Sequence, residues 1–374
     1  MTNPAKTISF FLPNFNCGGV QRLVLNLSYS LSQQKNQIDL VLIRSVGSFM
    51  SQIPPSVNLV DFKKPRLRQA IQVLGQYLRE KNPDALFSFM SYNDPISVLA
   101  KSIYHVKTKI ILGLHSDLSQ QKSPPFLQHP LAHLGLTPDQ PKLLMQWFYP
   151  WANAVVAPSY GVANNLAQMA KFPLEKIQVI YNPVITPEIF EKQQQMIQHP
   201  WFEIDQPPVI LGVGRLIPHK DFFTLIRAFA KVKEQISCRL VILGEGEMRR
   251  ELEQLVQALN LTHDVDLLGF TDNPYAYMKQ AKIFVLSSNC EGFGNVLVEA
   301  MACGTPVVST DCHSGPREIL NHGKYGHLVP VGDAGKMAQA IVEVLTGKSK
   351  KVDINWLNQF TLDTVTQKYI DLLN

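Results

Sequence analysis

The sequence predicts an α/β protein of two domains, each a parallel sheet with helices on both faces. Three observations predict it. Short β-rich apolar runs alternate with amphipathic helical segments along most of the chain, which is the pattern of a parallel sheet. A length of 374 residues suits two domains better than one. A stretch rich in Pro, Gln and Glu, with little periodicity, separates one strand–helix series from another. The expected division is a first domain over 1–185, a linker over 186–206, a second domain over 207–350 and a terminal segment over 351–374.

In the first domain, Thr7–Asn14 reads as a strand. The turn Asn16-Cys17-Gly18-Gly19 follows, then a helix from Val20 to about Lys35 with Leu23, Leu27 and Leu31 on one face. Strand-like runs recur at 38–44, 57–62, 85–90, 109–115, 154–158 and 177–181. Gly18 and Gly19 join the first strand to the first helix, where glycine lets backbone approach a phosphate or an acceptor. Many such turns carry glycine for conformation alone, and this is no G-x-G-x-x-G fingerprint. His115 closes the strand KIILGL at its carboxyl end, as a donor to developing charge or as a structural histidine. The segment Lys63–Lys81 carries an apolar stripe (Leu67, Ile71, Leu74, Leu78) with basic residues at both ends. It reads equally as a membrane-surface helix or as a core-packed helix with a solvated rim. The long loop over 118–141, rich in Pro, Gln and His, suits a lid or acceptor contact. Trp147, Phe148, Tyr149 and Trp151 behind it are expected in the core.

Charge divides unevenly. Residues 1–185 hold 17 Lys and Arg against 8 Asp and Glu, a net of +9; the remainder holds 18 against 22, a net of −4. A basic first half points to an anionic partner. Nucleic acid is set aside, since no recognised binding motif accompanies the charge. Five scattered cysteines without a CxxC pair fit reduced thiols. The apolar start reads as a first strand and not a signal peptide, and no run has the length of a membrane span. A cytoplasmic protein is expected, with peripheral contact at the inner face of an anionic membrane.

The second domain opens with the strand Val209–Val213. It runs into Gly214-Arg215-Leu216-Ile217-Pro218-His219-Lys220-Asp221 and a helix. Arg215 and Lys220 thus stand at a strand end and a helix start, where they neutralise an anion or remain surface cations. Arg239–Leu243 is the next strand, with Gly244-Glu245-Gly246-Glu247 as its loop; Asp266–Phe270 and Thr271 follow. The stretch 282–311 then forms one βαβ unit: strand KIFVL, a polar loop, helix NVLVEAMA, Gly304 and strand TPVVST. Two acids remain in it. Glu291 lies on the loop and Glu299 one turn into the helix, and eight helical residues span about 12 Å. Either the two carboxylates each hold a pair of hydroxyls, or one caps the helix and the other is solvated.

Glu291-Gly292-Phe293-Gly294…Glu299, continued by Ala300-Met301-Ala302-Cys303-Gly304-Thr305-Pro306-Val307-Val308, resembles the E-x7-E signature of retaining glycosyltransferase family 4, the glycosyl transferases group 1. The resemblance implies the GT-B fold, two Rossmann-like domains with parallel sheets facing a central cleft. It implies that Arg215 and Lys220 bind the donor phosphates, with Gly18, Gly19 and Gly214 against the diphosphate and His115 near the sugar. Glu291 would orient the hexose and Glu299 the ribose. Gly244 and Gly246 would lie near the nucleotide, Phe270 and Thr271 at the base, and Phe293, Gly294, Asn295 and Val296 would complete the donor site. The last helix, around Leu362–Leu373, would cross back to the first domain. The implied activity is metal-independent, retaining transfer of a hexose or N-acetylhexosamine from a nucleotide sugar, UDP-linked, to a lipid-linked glycan. No cofactor is implied, because the nucleotide sugar is a substrate. A 2-epimerase of the same fold and a catalytically silent partner subunit remain as other readings.

Overall fold

The computed structural model describes residues 5–16, 18–63, 67–90, 93–114 and 140–373. The chain divides into two compact units, Met1–Pro183 with Leu362–Asn374, and Val184–Thr361. Each is built on one wholly parallel sheet flanked by helices, as the periodicity predicts.

The first sheet has strands β1 (Thr7–Leu12), β2 (Gln37–Leu42), β3 (Val57–Asp61), β4 (Ala85–Ser88), β5 (Lys109–Gly113), β6 (Ala154–Ala157) and β7 (Ile177–Val179), in the order β3-β2-β1-β4-β5-β6-β7. Its inner strands are largely apolar on both faces because helices cover both, while the edge strands β3 and β7 are partly exposed. Along β1, Ile8, Phe10 and Leu12 join one core with the Gly19–Gln33 helix, while Phe11 joins another with the Leu67–Lys81 helix. That second helix settles the ambiguity of the basic amphipathic segment. Leu74 and Leu78 of its stripe are wholly buried in the core, with Ala70 beside them. Tyr77 donates to Asp39 Oδ2 at 2.5 Å, and its hydroxyl lies 2.7 Å from Ser9 Oγ. Leu74 and Leu78 are therefore taken up by the core, with Ile71 packed partly buried against it. Among the described residues no helix is long and apolar enough to cross a membrane.

The helix Leu362–Asp371 packs in the first unit. Val365, Tyr369 and Ile370 enter its core, and the Tyr369 ring lies 5.7 Å from that of Phe87 and 6.1 Å from that of Phe89. The chain passes between units at Pro183–Val184 and again at Thr361–Leu362. Ile185 forms a parallel bridge with Thr361, and the amides of Val184 and Ile185 both donate to Phe360 O. Residues 186–206 are part of the second unit and not a free linker. They contain the helix Pro187–Lys192, and Asn273 Nδ2 donates to Lys192 O at 2.9 Å. Their composition hid this because the anchoring comes from single polar side chains and leaves no periodic trace. The residues from 351 to 361 likewise belong to the second unit, so the return begins only at Leu362.

The second sheet comprises β8 (Val209–Val213), β9 (Arg239–Leu243), β10 (Val265–Gly269), β11 (Ile283–Leu286), β12 (Val307–Thr310) and β13 (His327–Val329) in the order β10-β9-β8-β11-β12-β13. In both sheets the direction of winding reverses beside the first strand, between β1 and β4 and between β8 and β11. Loops leaving the carboxyl ends diverge at such a point and open a crevice.

A buried acid ties the first unit together. Asp94 is fully buried at the start of the Asp94–Tyr104 helix and accepts from Ser88 Oγ and Tyr149 OH, each at 2.8 Å. Burial pushes its carboxyl up to about 8. The folded state therefore holds a proton that the unfolded chain, with an ordinary carboxyl near 4, releases. Stability from this group falls as pH rises from about 4 to 8 and is flat above. Denaturant unfolding of wild type and Asp94→Asn across that range should show the wild type losing stability relative to the variant with rising pH. A parallel pair of profiles would refute it.

Candidate functional site

The site residues expected in the second unit cluster at its switch point. β8 ends at Val213, and the loop beyond it turns through the short helix Pro218–Lys220. Asp221, in a left-handed conformation, caps the next helix by accepting from Thr224 N and Thr224 Oγ1. The loop after β11 is pinned to this one. Ser287 Oγ donates to Lys220 O at 2.7 Å, and the Asn289 amide donates to His219 O at 2.9 Å. Lys220 Nζ is thereby brought 2.6 Å from Glu291 Oε1, an ion pair with 20% and 10% of the two side chains exposed. Ser288 Oγ donates to the same carboxylate oxygen at 2.6 Å. Arg215 is exposed, and its guanidinium has no ion-pair or hydrogen-bond partner among the described residues.

The helix Asn295–Ala302 begins beside this pair. Gly294 stands at its N-cap with φ +101° and brings no side chain of its own to cap it. A helix start directs N–H groups and the positive end of the helix dipole outward. Glu299 is half-buried on this helix, and Asn295 and Val296 are half-exposed at its first turn. An unpaired guanidinium, a lysine–carboxylate pair and a helix N-terminus at one crevice suit a ligand joining an anion to hydroxyl groups.

The remaining expected residues separate into groups. Phe270 is 68% exposed at the carboxyl end of β10, and Thr271 Oγ1 accepts from the Asn273 amide. Phe293, despite its place in the motif, is buried, with its ring 5.8 Å from that of Phe360. Gly244 and Gly246 serve close packing between loops. A Cβ on Gly244 would fall 1.9 Å from Gly214 O, and one on Gly246 2.3 Å from Leu216 O. The carboxyl ends of β8, β9 and β10 are joined by Gly214 N to Leu243 O and by Gly244 N to Gly269 O. Arg249 secures the same loops, bonding Glu245 Oε1 at 2.5 Å and Leu267 O at 2.8 Å. Arg249, Ser287, Ser288 and Asn289 went unread in the sequence; only Ser288, three residues before Glu291, carried a local signal.

In the first unit, Gly18 is extended at the N-cap of Gly19–Gln33, a helix start with neither a capping side chain nor an acid in its first turn. His115 and residues 118–139 of the expected acceptor loop lie outside the described residues. Of the four aromatic residues behind that loop, Tyr149 is in the core, while Trp147 and Trp151 are 62% and 71% exposed. The core expectation fails for Trp147 because the helix Gln140–Phe148 turns the 147 position away from Met145, and for Trp151 on the turn Tyr149–Trp151 that follows.

An Asp-x-Asp pair, Asp264 and Asp266, was passed over in the metal-free expectation. It lies at the amino end of β10, opposite the crevice edge of the sheet. Asp264 is paired with Lys233 and Arg239, and Asp266 Oδ2 lies 3.1 Å from His199 Nε2. Among the described residues no group of three or more His, Cys, Asp and Glu side chains is placed to hold a metal ion.

Two parallel-sheet units, each wound about a switch point, are the architecture of the glycosyltransferases with the GT-B fold, and comparison places the chain within that class. Residues 193–355 match the family described as glycosyl transferases group 1, and residues 17–187 match glycosyltransferase family 4. The chain is 30% identical over 348 residues, 90% of each sequence, to a Campylobacter jejuni enzyme. That enzyme is named N-acetylgalactosamine-N,N'-diacetylbacillosaminyl-diphospho-undecaprenol 4-alpha-N-acetylgalactosaminyltransferase. A second C. jejuni N-acetylgalactosaminyltransferase, acting on a diphospho-undecaprenol-linked glycan, is 23% identical over 98% of each chain. In fold the chain is similar to Anabaena HepE in complex with UDP, with a TM-score of 0.75 over 98% of this chain and 99% of that one, at 23% identity. It is also similar to a glycosyltransferase from Rickettsia africae, with a TM-score of 0.78, 99% and 98% coverage and 17% identity. The chain belongs to the group 1 glycosyltransferases of family 4.

Gly315 shows how tightly these loops are set. Its φ is +92°, and an added Cβ would lie 1.7 Å from Phe293 O. Gly332, with φ +74°, has nothing within 4 Å of that position. Gly332→Ala should cost about 1–2 kcal/mol for the backbone conformation alone. Gly315→Ala should cost clearly more, because the 293–294 backbone must also move. Chemical denaturation of the two variants measures the difference; equal costs would refute it.

Proposed function

We propose that the chain transfers a hexose or N-acetylhexosamine from a UDP-sugar to a lipid-linked glycan, with retention of anomeric configuration, in the synthesis of a cell-surface polysaccharide or glycolipid. The observation that carries this is the juxtaposition of the unpaired Arg215, the Lys220–Glu291 pair and the start of the Asn295–Ala302 helix at one crevice edge. In this reading Arg215, Lys220 and the helix N-terminus stabilise the departing diphosphate, the task a metal ion performs elsewhere. Transfer is then metal-independent and needs no cofactor. Glu291 orients the sugar, Glu299 the ribose, and the exposed Phe270 with Thr271 meets the base. The departing phosphate oxygen accepts the acceptor's proton, so no protein nucleophile is required.

UDP is favoured by the HepE complex, and a lipid-diphosphate-linked acceptor by the names of the two C. jejuni relatives. Peripheral attachment at the inner face of a membrane rests on the net charge of +9 over residues 1–185. Low-salt sedimentation should pull the protein down with anionic vesicles and not with zwitterionic ones; equal partition would remove the attachment.

Thermal unfolding with EDTA present tests the donor. The panel holds UDP-glucose, UDP-galactose, their N-acetyl forms, GDP-mannose and free UDP and GDP. A ligand at a hundred times its Kd stabilises by about 2.7 kcal/mol, and one UDP-sugar should raise the melting temperature most. Lys220→Ala and Glu291→Ala, folded by circular dichroism, should each lower transfer by about a hundredfold or more. Wild-type transfer by either variant would refute the assigned roles.

A further inference from the structure

Glu291 uses its two oxygens unequally. Oε1 receives both Lys220 Nζ and Ser288 Oγ, each at 2.6 Å. Oε2 receives no hydrogen bond from a described residue. The two donors to Oε1 also differ in kind. Lys220 reaches it on a long side chain that is 20% exposed. Ser288 is wholly buried, directly beyond the end of β11. Its own backbone is fixed, since Thr310 Oγ1, at the end of neighbouring β12, donates to Ser288 O.

This difference matters once a diphosphate enters the crevice. A lysine ammonium is a compact charge with three donors on a flexible stem, and a diphosphate carries more negative charge than a carboxylate. The ammonium is drawn toward the phosphates, and its hold on Glu291 weakens as the sugar arrives. The Ser288 hydroxyl has no such competing partner. It sits on a strand end and donates to a charged acceptor, a bond stronger than one between neutral groups.

We infer that Ser288 is a positioning residue for Glu291: its hydroxyl retains Oε1 when Lys220 turns to the donor diphosphate, which leaves Oε2 for the hydroxyls of the sugar. The inference rests on the reading of Glu291 as the sugar-orienting acid. Its specific consequence is that the hydroxyl matters to the sugar-bearing nucleotide and not to the nucleoside diphosphate, which does not use Glu291.

Calorimetric titration of wild type, Ser288→Ala, Glu291→Ala and the double variant tests this. The ligands are the five nucleotide sugars of the panel above and free UDP and GDP, and melting temperatures check that each variant is folded. Ser288→Ala should weaken the nucleotide sugar by about tenfold and change the free diphosphate by less than about twofold. In the Glu291→Ala background, Ser288→Ala should cause no further loss, because the two residues act as one unit. If Ser288→Ala weakens sugar nucleotide and free diphosphate equally, the serine only shapes the loop and the inference is overturned. Additive losses overturn it too, since the hydroxyl then acts other than through Glu291. Wild-type affinity in Glu291→Ala, or no nucleotide-sugar binding by the wild type, overturns the site reading itself. The first two results leave that reading standing.

Discussion

The joining of the two loops that carry Lys220 and Glu291 is the constraint on which the second unit's crevice depends. The two residues come from loops after β8 and β11, strands adjacent in the sheet and 71 residues apart in the chain. A half-buried ion pair is weak evidence of stability, because desolvation offsets much of its attraction. Here the backbone does the holding. Ser287 and Asn289 bond the carbonyls of Lys220 and His219, so the loops meet whether or not the charges attract. The ion pair is thus a consequence of loop geometry, and its charges remain available to a ligand.

The glycines of this region serve the same end. Gly244 and Gly315 lie where any Cβ would meet the backbone of another loop. Their freedom lets the loops after β8 and β9, and those after β11 and β12, approach closely at the carboxyl edge of the sheet. This reassigns part of the motif. Gly294 opens a helix start, whereas Phe293 beside it fills the core against Phe360. Motif spacing reports which residues travel together and does not say which side chain faces the crevice.

The architecture was legible because parallel strands covered on both faces leave continuous apolar runs, as in IFVL of β11 and IILG of β5. The positions of Arg215, Lys220 and Glu291 were legible because they follow strand ends that the periodicity locates. What joins them was not. Ser287 and Ser288 are common residues in a polar break, and their partners are fixed only by strand order. The 63–81 segment stayed ambiguous for a related reason. An apolar stripe has the same spacing whether lipid or core covers it, and the bond that decides, Tyr77 to Asp39, spans 38 residues. The 186–206 stretch misled through composition, since Asn273 and Asp266 hold it from elsewhere in the chain.

The return of the helix Leu362–Asp371 to the first unit bears on how the chain is made. During synthesis, all of Val184–Thr361 leaves the ribosome before that helix does. At about 5–20 residues per second, synthesis of Val184–Thr361 takes on the order of ten seconds or more. Throughout that interval Phe87 and Phe89 of the first unit lack the Tyr369 ring that packs against them. The amino-terminal half, although translated first, is the last to be closed.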